Sequence, residues 1–193
     1  AARRAPNDLA RARRPPSAAS AAVRRRPPPS AAGVCACARQ VLGADGKYER
    51  LCELLDDFLK RGQVLVFVAT HEASDRLFRQ LAHSRYPAIA IHGRMDQADR
   101  DGAIADFKSG AAPLMVATSV AARGLDVREL LAVVNYDVPS HYEDYVHRVG
   151  RVGRAGRKGW AFTFLAPDEE KFAPDLVRAL ELAHHEVCMI CLL

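Results

Sequence analysis

Apolar runs rich in β-branched residues alternate with segments of helical periodicity along most of this sequence. The apolar runs cover residues 64–69, 88–91, 114–117, 131–134 and 160–165. Apolar residues recur at helical spacing over residues 48–59, 71–83, 97–108 and 168–182. Regular alternation of this kind predicts an α/β fold, in which a mainly parallel sheet is covered by helices on both faces.

Polar residues follow several of these predicted strands. The carboxyl ends of parallel strands lie at one edge of the sheet, and ligands of such folds bind at that edge. The residues expected there are Thr70, His92, Gly93, Thr118, Ser119, Asn135 and Tyr136. The sequence therefore predicts that the side chains suited to function gather on one side of the molecule.

A run of arginines and glycines near residue 150 predicts an anion-binding loop. Ser140 and Glu143 have the spacing of a capping box, which predicts that a helix begins there, and Gly150 predicts its end. The loop beyond carries Arg151, Arg154 and Arg157. Guanidinium groups spaced in this way can grip the oxygens of one phosphate group, and they stay charged at any working pH. A solvated basic loop is the plainer alternative.

Three blocks of this sequence resemble motifs of the DEAD-box RNA helicases and occur in the same order. They are HGRMDQADR at residues 92–100, ATSVAARGLD at 117–126 and HRVGRVGR at 147–154. The resemblance extends from about Lys47 to Val187. It implies the RecA-like, three-layer αβα fold of a helicase C-terminal domain. It also implies that this chain corresponds to the second of two RecA-like lobes.

The resemblance assigns roles to single residues at a nucleotide site. Arg151 and Arg154 would be the arginine fingers that reach the γ-phosphate, and they are the predicted catalytic residues. Asp126 would accept a hydrogen bond from the ribose, His147 would couple the two lobes, and Arg148 would brace the motif. The predicted nucleotide-binding set is Gly124, Asp126, His147, Arg148, Arg151 and Arg154.

A second set of residues matches family positions that line a groove for single-stranded RNA. The predicted RNA-binding residues are Thr70, Gly93, Arg100, Thr118 and Gly124. Glycines admit a close approach of the RNA backbone, while hydroxyl groups and Arg100 satisfy phosphate oxygens. Simpler roles remain open, because the glycines could only shape turns and Arg100 could only pair with Asp96 or Asp99.

ATP hydrolysis needs a phosphate cradle and a magnesium site, and the motifs that build them are missing from this sequence. No Gly-x-x-x-x-Gly-Lys-Ser/Thr motif is present, since the Gly46-Lys47 pair is followed by Tyr48. No Asp-Glu-Ala-Asp box occurs either. We therefore expect ATP and Mg²⁺ to be held mainly by a first lobe, and we expect this chain alone not to hydrolyse ATP.

The leading hypothesis is an ATP-dependent RNA helicase whose second lobe supplies the arginine fingers and part of the RNA groove. Its expected partners are RNA, an N-terminal RecA-like lobe and splicing factors. The alternatives are a stand-alone RNA-binding or regulatory module without catalysis, a gene fragment, and a DNA helicase or remodeller of the same superfamily. The run at residues 121–126 argues against the last of these.

Positive charge is concentrated at the beginning of the chain. Residues 1–40 contain nine arginines and one aspartate, whereas residues 41–193 contain 19 basic and 22 acidic residues. We expect a disordered tail over 1–43, the helicase domain over 44–187 and a short irregular tail over 188–193. Four interpretations of the first tail stay open: an RNA-binding arm, a nuclear localisation run, an organelle transit peptide and an extension without function.

Ser119 and Val152 depart from the usual family pattern, in which Asp and Thr are common. The block around Ser119, together with residues 135–148, is similar to a pre-mRNA-splicing subgroup that commonly has Ser at this position. This similarity implies a role in mRNA splicing and a nuclear location, with the cytoplasm and organelles as alternatives. Val152 removes one hydroxyl group between the two predicted fingers.

Neither a metal site nor a membrane segment is predicted. The five cysteines are an odd number without a secretory signal, which favours reduced thiols. Two cysteine pairs stand at opposite ends of the predicted domain, so we expect no four-thiolate zinc site. No apolar run approaches the roughly 18 residues that a bilayer crossing needs.

Overall fold

A sheet of seven strands forms the centre of the molecule. The structure is a computed structural model, and it describes residues 34–40, 43–122, 130–153, 158–182 and 186–187. The strands are β1 Val34–Gln40, β2 Gln63–Val68, β3 Ala88–Ile91, β4 Leu114–Thr118, β5 Leu130–Asn135, β6 Gly159–Leu165 and β7 Glu186–Val187. Their order across the sheet is β3-β4-β2-β5-β6-β1-β7, and all neighbours in this order pair in parallel.

Helices cover both faces of this sheet. They are α1 Gly43–Phe58, α2 His71–His83, α3 Gln97–Ser109, α4 Tyr142–Val149 and α5 Ala173–Leu182, with a 3-10 helix at Pro167–Phe172. Apolar residues of α1 and α2 pack in one buried cluster with the sheet, and Phe107 of α3 packs in a second cluster. The predicted three-layer α/β fold with a mainly parallel sheet is thereby confirmed.

Alternation along the strands divides the core between the two faces. In β4, Leu114 and Val116 belong to the cluster with α1 and α2, whereas Met115 and Ala117 belong to the cluster with α3. Side chains of successive strand residues point to opposite faces, so a central strand that is covered on both sides must be apolar throughout. All five residues of β4 are buried, which explains the continuous apolar run in the sequence.

The first predicted boundary differs from the structure. Residues 1–43 were assigned to a disordered tail, but Val34–Gln40 form β1 and pair with β6 over the whole length of the strand. The sequence before this strand is dominated by Arg, Pro and Ala. The strand takes its place beside β6 through backbone pairing with a distant segment, which the local sequence pattern does not indicate. Residues 1–33 and the predicted tail over 188–193 lie outside the described residues.

Two helix predictions also need correction. Helix α4 is capped by His141 instead of Ser140, and the backbone N–H groups of Asp144 and Tyr145 both donate to the His141 carbonyl. The helix predicted over 168–182 is divided into the 3-10 helix and α5. Pro174 stands at this division, and proline cannot donate the hydrogen bond that a continuous α-helix would need there.

Among the described residues, no helix combines the length and the apolar character that a bilayer crossing requires.

Candidate functional site

The carboxyl edge of the sheet carries the polar residues that were expected to lie together. Strands β3, β4, β2 and β5 are neighbours in that order, and all run in the same direction. His92, Ser119, Thr70 and Tyr136 follow these four strands within two residues of their ends. The parallel topology therefore brings these four residues to one edge, as the sequence predicted.

Arg148 lies in the last turn of α4 and is turned into the protein, with 5% of the residue exposed. Its Nη1 donates to Asn135 Oδ1 at 3.3 Å and to the Asp137 carbonyl at 3.1 Å. Its Nη2 lies 2.9 Å from Asp144 Oδ2, and its Nε donates to Ser119 Oγ at 2.9 Å. We call these five residues the Arg148 network.

The hydrogen bonds and the ion pair of the Arg148 network stabilise the buried positive charge of the guanidinium group. Burial lowers the pKa of Arg148, while the Asp144 carboxylate opposes this effect. The guanidinium group also lies over the Phe67 ring, 5.1 Å from its centroid. An arginine that uses its donors inside the protein is suited to brace the surrounding chain, and direct contact with a nucleotide would require the network to open.

Ser119 occupies a central position in this network. Its hydroxyl group donates to Asp144 Oδ2 at 2.8 Å while it accepts from Arg148 Nε. Asn135 extends the network across the sheet, because its Nδ2 donates to Thr163 Oγ1 in β6 at 3.0 Å. The network therefore joins α4 to the ends of β4 and β5, and Asn135 connects it to β6.

His147 and Arg151, on either side of Arg148 in the sequence, lie closer to the surface than Arg148. His147 is exposed and Arg151 is partly exposed. The Arg151 Nε donates to the His147 carbonyl at 3.3 Å, and the chain leaves the helix at Gly150. An arginine at this edge suits an anionic ligand such as a phosphate group. The predicted residues Gly124, Asp126 and Arg154 lie outside the described residues, so their roles remain predictions.

The predicted RNA-binding residues differ in how accessible they are. Thr70 is exposed and caps α2, its Oγ1 accepting from the Ala73 N–H at 3.1 Å. Gly93 is exposed, and among the described residues a Cβ placed there would meet only His71 Cε1, at 3.7 Å. Thr118 is 4% exposed, and its Oγ1 lacks a hydrogen-bond partner within the described part of the chain. Contact of the Thr118 hydroxyl with RNA remains a prediction. It would require this buried hydroxyl group to become accessible.

Arg100 contacts the turn after β4. Its Nη2 donates to the Ala121 carbonyl at 2.9 Å, whereas its Nε is buried without a hydrogen-bond partner in the described residues. Ala121 follows Ser119 on the same turn and belongs to the buried cluster with α3. Arg100 therefore links α3 to this turn, while its role toward RNA remains a prediction.

A histidine contact at this edge was missed by the sequence interpretation. His92 Nε2 lies 2.9 Å from Asp75 Oδ1, and the His92 ring lies 5.4 Å from the His71 ring, centroid to centroid. This contact holds the end of β3 against α2, next to Gly93. Its partners come from separate elements, so no local pattern could reveal it. Within the described ranges, no group of three or more His, Cys, Asp and Glu side chains could hold a metal ion.

A groove of about 680 Å³ lies beside this edge, between α1, α2 and the segments after β5 and β6. Lys47 lines this groove, and its Nζ lies 2.7 Å from Glu169 Oε2. Glu169 also accepts from the Ala166 N–H, which ties α1 to the segment after β6. Tyr136 and Asp137 line this groove, whereas none of the predicted nucleotide-binding or RNA-binding residues does.

Comparison with protein families gives a match over most of the described domain. The model of the helicase conserved C-terminal domain matches residues 46–156. The chain is 57% identical to DEAD-box ATP-dependent RNA helicase 42 of Oryza sativa over 141 residues, which are 73% of this chain and 13% of that protein. It is 48% identical to the probable ATP-dependent RNA helicase DDX46 of Homo sapiens over 143 residues, 74% of this chain and 14% of that protein.

Solved structures share the fold. A Saccharomyces cerevisiae Dbp5 structure with RNA and ADP BeF3 aligns with a TM-score of 0.72 and 28% identity, over 80% of this chain and 40% of that one. The Escherichia coli DEAD-box protein SrmB, bound to the regulator of ribonuclease activity A, aligns with a TM-score of 0.71 and 29% identity, over 76% and 85%. Among the curated relatives, the chain spans only 13% of the length of the Oryza sativa helicase and 14% of the length of the Homo sapiens helicase.

Proposed function

The chain belongs to the helicase conserved C-terminal domain family, and from this premise we propose that it acts as the second lobe of a DEAD-box ATP-dependent RNA helicase. Curated DEAD-box RNA helicases match about three quarters of its length. The observation that carries the proposal is the arrangement around α4. Arg148 is buried and fixes the end of the helix, and Arg151 follows it at the surface of the carboxyl edge.

The arginines of the 150–157 segment stabilise negative charge on a transferring phosphoryl group. Arg151 and Arg154 contact the terminal phosphate, an effect that is worth about 10³–10⁵ in rate in enzymes that use arginine fingers. His147 is exposed next to Arg151 and contacts the other lobe. Asp126 and Gly124 bind the ribose side of the nucleotide. In this proposal the second lobe carries the arginine side chains, and the first lobe carries the phosphate cradle.

The nucleotide site is completed by groups that this sequence does not carry. The chain lacks a phosphate-loop motif, so we propose that ATP and its Mg²⁺ are held mainly by a first lobe. Bound Mg²⁺ supplies charge neutralisation at the phosphate oxygens. The second lobe contributes guanidinium groups and excludes water as the lobes close. Alone, this chain does not hydrolyse ATP.

Single-stranded RNA binds across the same edge through its sugar–phosphate backbone. Thr70 and Gly93 are exposed, and the space at Gly93 admits a close backbone approach. Arg100, Thr118 and Gly124 complete the proposed groove. Contacts of this kind fix the strand without reading its bases, and 2′-hydroxyl contacts distinguish RNA from DNA. A local groove agrees with the slight excess of acidic residues over 41–193.

We further propose a nuclear role in mRNA splicing, with splicing proteins as partners. Support comes from the sequence around Ser119 and residues 135–148, which is similar to a splicing subgroup of the family. Relatives of known structure bind proteins as well as RNA, since SrmB was solved with the regulator of ribonuclease activity A and Dbp5 with Gle1.

The decisive experiment combines this chain with a separately produced first lobe and measures RNA-stimulated ATPase activity. We expect activity only when both lobes and RNA are present. We expect Arg154→Ala or Arg151→Ala to lower the rate by about 10³-fold or more. Arg79→Ala, on an exposed position of α2, is the matched control and should leave the rate unchanged.

Two other outcomes would contradict the proposal. An Arg154→Ala variant with normal ATPase activity would remove the finger assignment. RNA binding without ATPase activity in the combined lobes would instead favour a stand-alone RNA-binding module.

A further inference from the structure

The groove of about 680 Å³ between α1, α2 and the segments after β5 and β6 has an acidic lining. None of the residues proposed to bind the nucleotide or RNA lines it. Its charged side chains are those of Glu49, Asp137, Asp168, Glu169, Lys47 and Arg76. Lys47 and Glu169 pair with each other at 2.7 Å. The charge that remains is negative, because three carboxylates face a single guanidinium group.

Two of these carboxylates are open to a ligand. Glu49 and Asp168 are exposed, and neither forms an ion pair within the described part of the chain. Tyr48 and Tyr136 also line the groove, and Lys47 Nζ lies 6.0 Å from the centroid of the Tyr136 ring. Guanidinium groups pair with carboxylates and stack on aromatic rings. The groove therefore fits a segment that carries arginine side chains.

A segment of this composition precedes β1 in the same chain. Residues 1–33 contain eight arginines and one aspartate, with no lysine and no glutamate. They lie outside the described residues, and Val34 is the first residue of β1. The excess of positive charge in this segment is complementary to the negative charge of the groove.

The chain before β1 is long enough to reach the groove. Val34 pairs with Gly159 at the start of β6, whereas Ala166, which lines the groove, directly follows the end of β6. The length of β6 separates these two levels by about 23 Å. Arg26 stands eight residues before Val34, and eight residues span up to about 29 Å. Arg14 stands 20 residues before Val34, so it has a still longer reach.

We propose that the groove binds residues 1–33 of the same chain through their arginine side chains. Because the segment is tethered, its effective concentration at the groove is about millimolar, and weak exposed ion pairs suffice to hold it. Arginines that are held in the groove are not available to RNA. The contact requires neither RNA nor a first lobe, so it does not depend on the proposed function.

Carbodiimide cross-linking of the full chain tests this contact. The reagent joins carboxylates to lysine amines that touch them, and no lysine precedes Lys47 in the sequence. Arg14→Lys and Arg25→Lys, made separately, keep the charge and each place one lysine amine in the segment. Mass spectrometry of the digested chain identifies the carboxylate that is joined. In at least one variant we expect coupling to Glu49 or Asp168.

Carboxylates on the other face of the sheet are the matched controls. Asp101 and Asp106 are exposed on α3, which packs in the cluster opposite to that of α1 and α2. We expect coupling to the groove to exceed coupling to these controls about tenfold, a preference that two exposed ion pairs can supply. Equal coupling to both faces would overturn the inference, because it would show attraction without a preferred site.

Isotope mixing tests whether the segment and the groove belong to one chain. Chains labelled with ¹⁵N are mixed with unlabelled chains before the reagent is added. Joined peptides that are both labelled or both unlabelled would show coupling within one chain, as we expect. Joined peptides of mixed labelling in statistical proportion would show that the segment binds a second copy, which would overturn the inference. The absence of coupling to Glu49 and Asp168 in both variants would overturn it as well.

Discussion

Arg148 and Arg151 are three residues apart and have different environments. Arg148 is 5% exposed and donates to three other residues besides its ion-pair partner, whereas Arg151 is partly exposed beyond the helix end. Residues three apart on a continuous helix would share one face, but α4 ends at Val149, so Arg148 faces the core while Arg151 leaves with the loop. Arginines in one short basic run therefore have different environments, which composition cannot distinguish.

Removing the Arg148 side chain should destabilise the fold strongly. Arg148→Ala leaves the Asp144 carboxylate and the Asn135 amide without their partner, and we expect a loss of about 3–5 kcal/mol in the free energy of unfolding. Urea denaturation measures this change. Arg79→Ala, on an exposed position, should stay within about 0.5 kcal/mol of the wild type. An Arg148→Ala variant as stable as that control would show that the network contributes little.

The resemblance predicts that Arg148 braces the motif, but it does not indicate the partners of Arg148. Ser119 follows β4, Asn135 ends β5, and Asp144 lies within α4, so the network exists only after three elements have packed. The contact between His92 and Asp75 has the same character. A single sequence indicates which residue types can form such networks, while the pairing depends on tertiary structure.

At the scale of elements, the start of β6 packs closely against the turn that follows α4. A Cβ placed at Gly159 would lie 2.6 Å from Val152 Cβ and would also overlap the Gly153 backbone nitrogen. Gly153 has a φ of 73°, in the left-handed region that favours glycine. The backbone between the two proposed fingers, Arg151 and Arg154, therefore packs directly against the start of β6.

Two glycine substitutions with opposite expected signs test this packing. Gly159→Ala should destabilise the protein by about 1–3 kcal/mol, because Val152 and the Gly153 backbone must move. Gly102→Ala lies in α3, where an added Cβ meets no described atom within 4 Å outside its own helix backbone, and it should stabilise by about 0.5–1 kcal/mol. Thermal unfolding compares the two. A neutral Gly159→Ala would mean that the turn yields easily.

The central elements were predictable because each has its own local signal. Strands β2 and β4 are continuous apolar runs, and Gly110 ends α3 in the left-handed conformation, as expected from its place just past the helix. The division of the last helical segment could have been read from Pro174. The cap of α4 could not, because His141 closes the helix through its backbone carbonyl and not through its side chain.

At the scale of the whole molecule, β1 completes the sheet, although the sequence analysis assigns this segment to a disordered tail. Strand β1 lies between β6 and β7, so without it β6 would become an edge of the sheet. An exposed edge of a parallel sheet presents unpaired N–H and C=O groups to other chains. The region before residue 43 therefore contributes to the domain, in addition to any function of the arginine-rich tail.

Two truncations test the contribution of β1. A chain that begins at residue 34 keeps the strand and should unfold like the full chain. A chain that begins at residue 43 lacks it, and we expect it to unfold at lower temperature and to associate through the exposed β6. Light scattering and thermal unfolding measure both effects. Equal behaviour of the two truncations would contradict a structural role for β1.

The pairing of β1 with β6 also has a consequence for synthesis. Val34 pairs with Gly159, which the ribosome adds only after β2, β3, β4 and β5 have been made. During synthesis β1 therefore lacks this partner until β6 has been made, and non-local pairings of this kind form slowly. Small side chains and neighbouring charges help an unpaired strand to avoid association with other chains. Residues 1–40, which include β1, are rich in alanine and arginine.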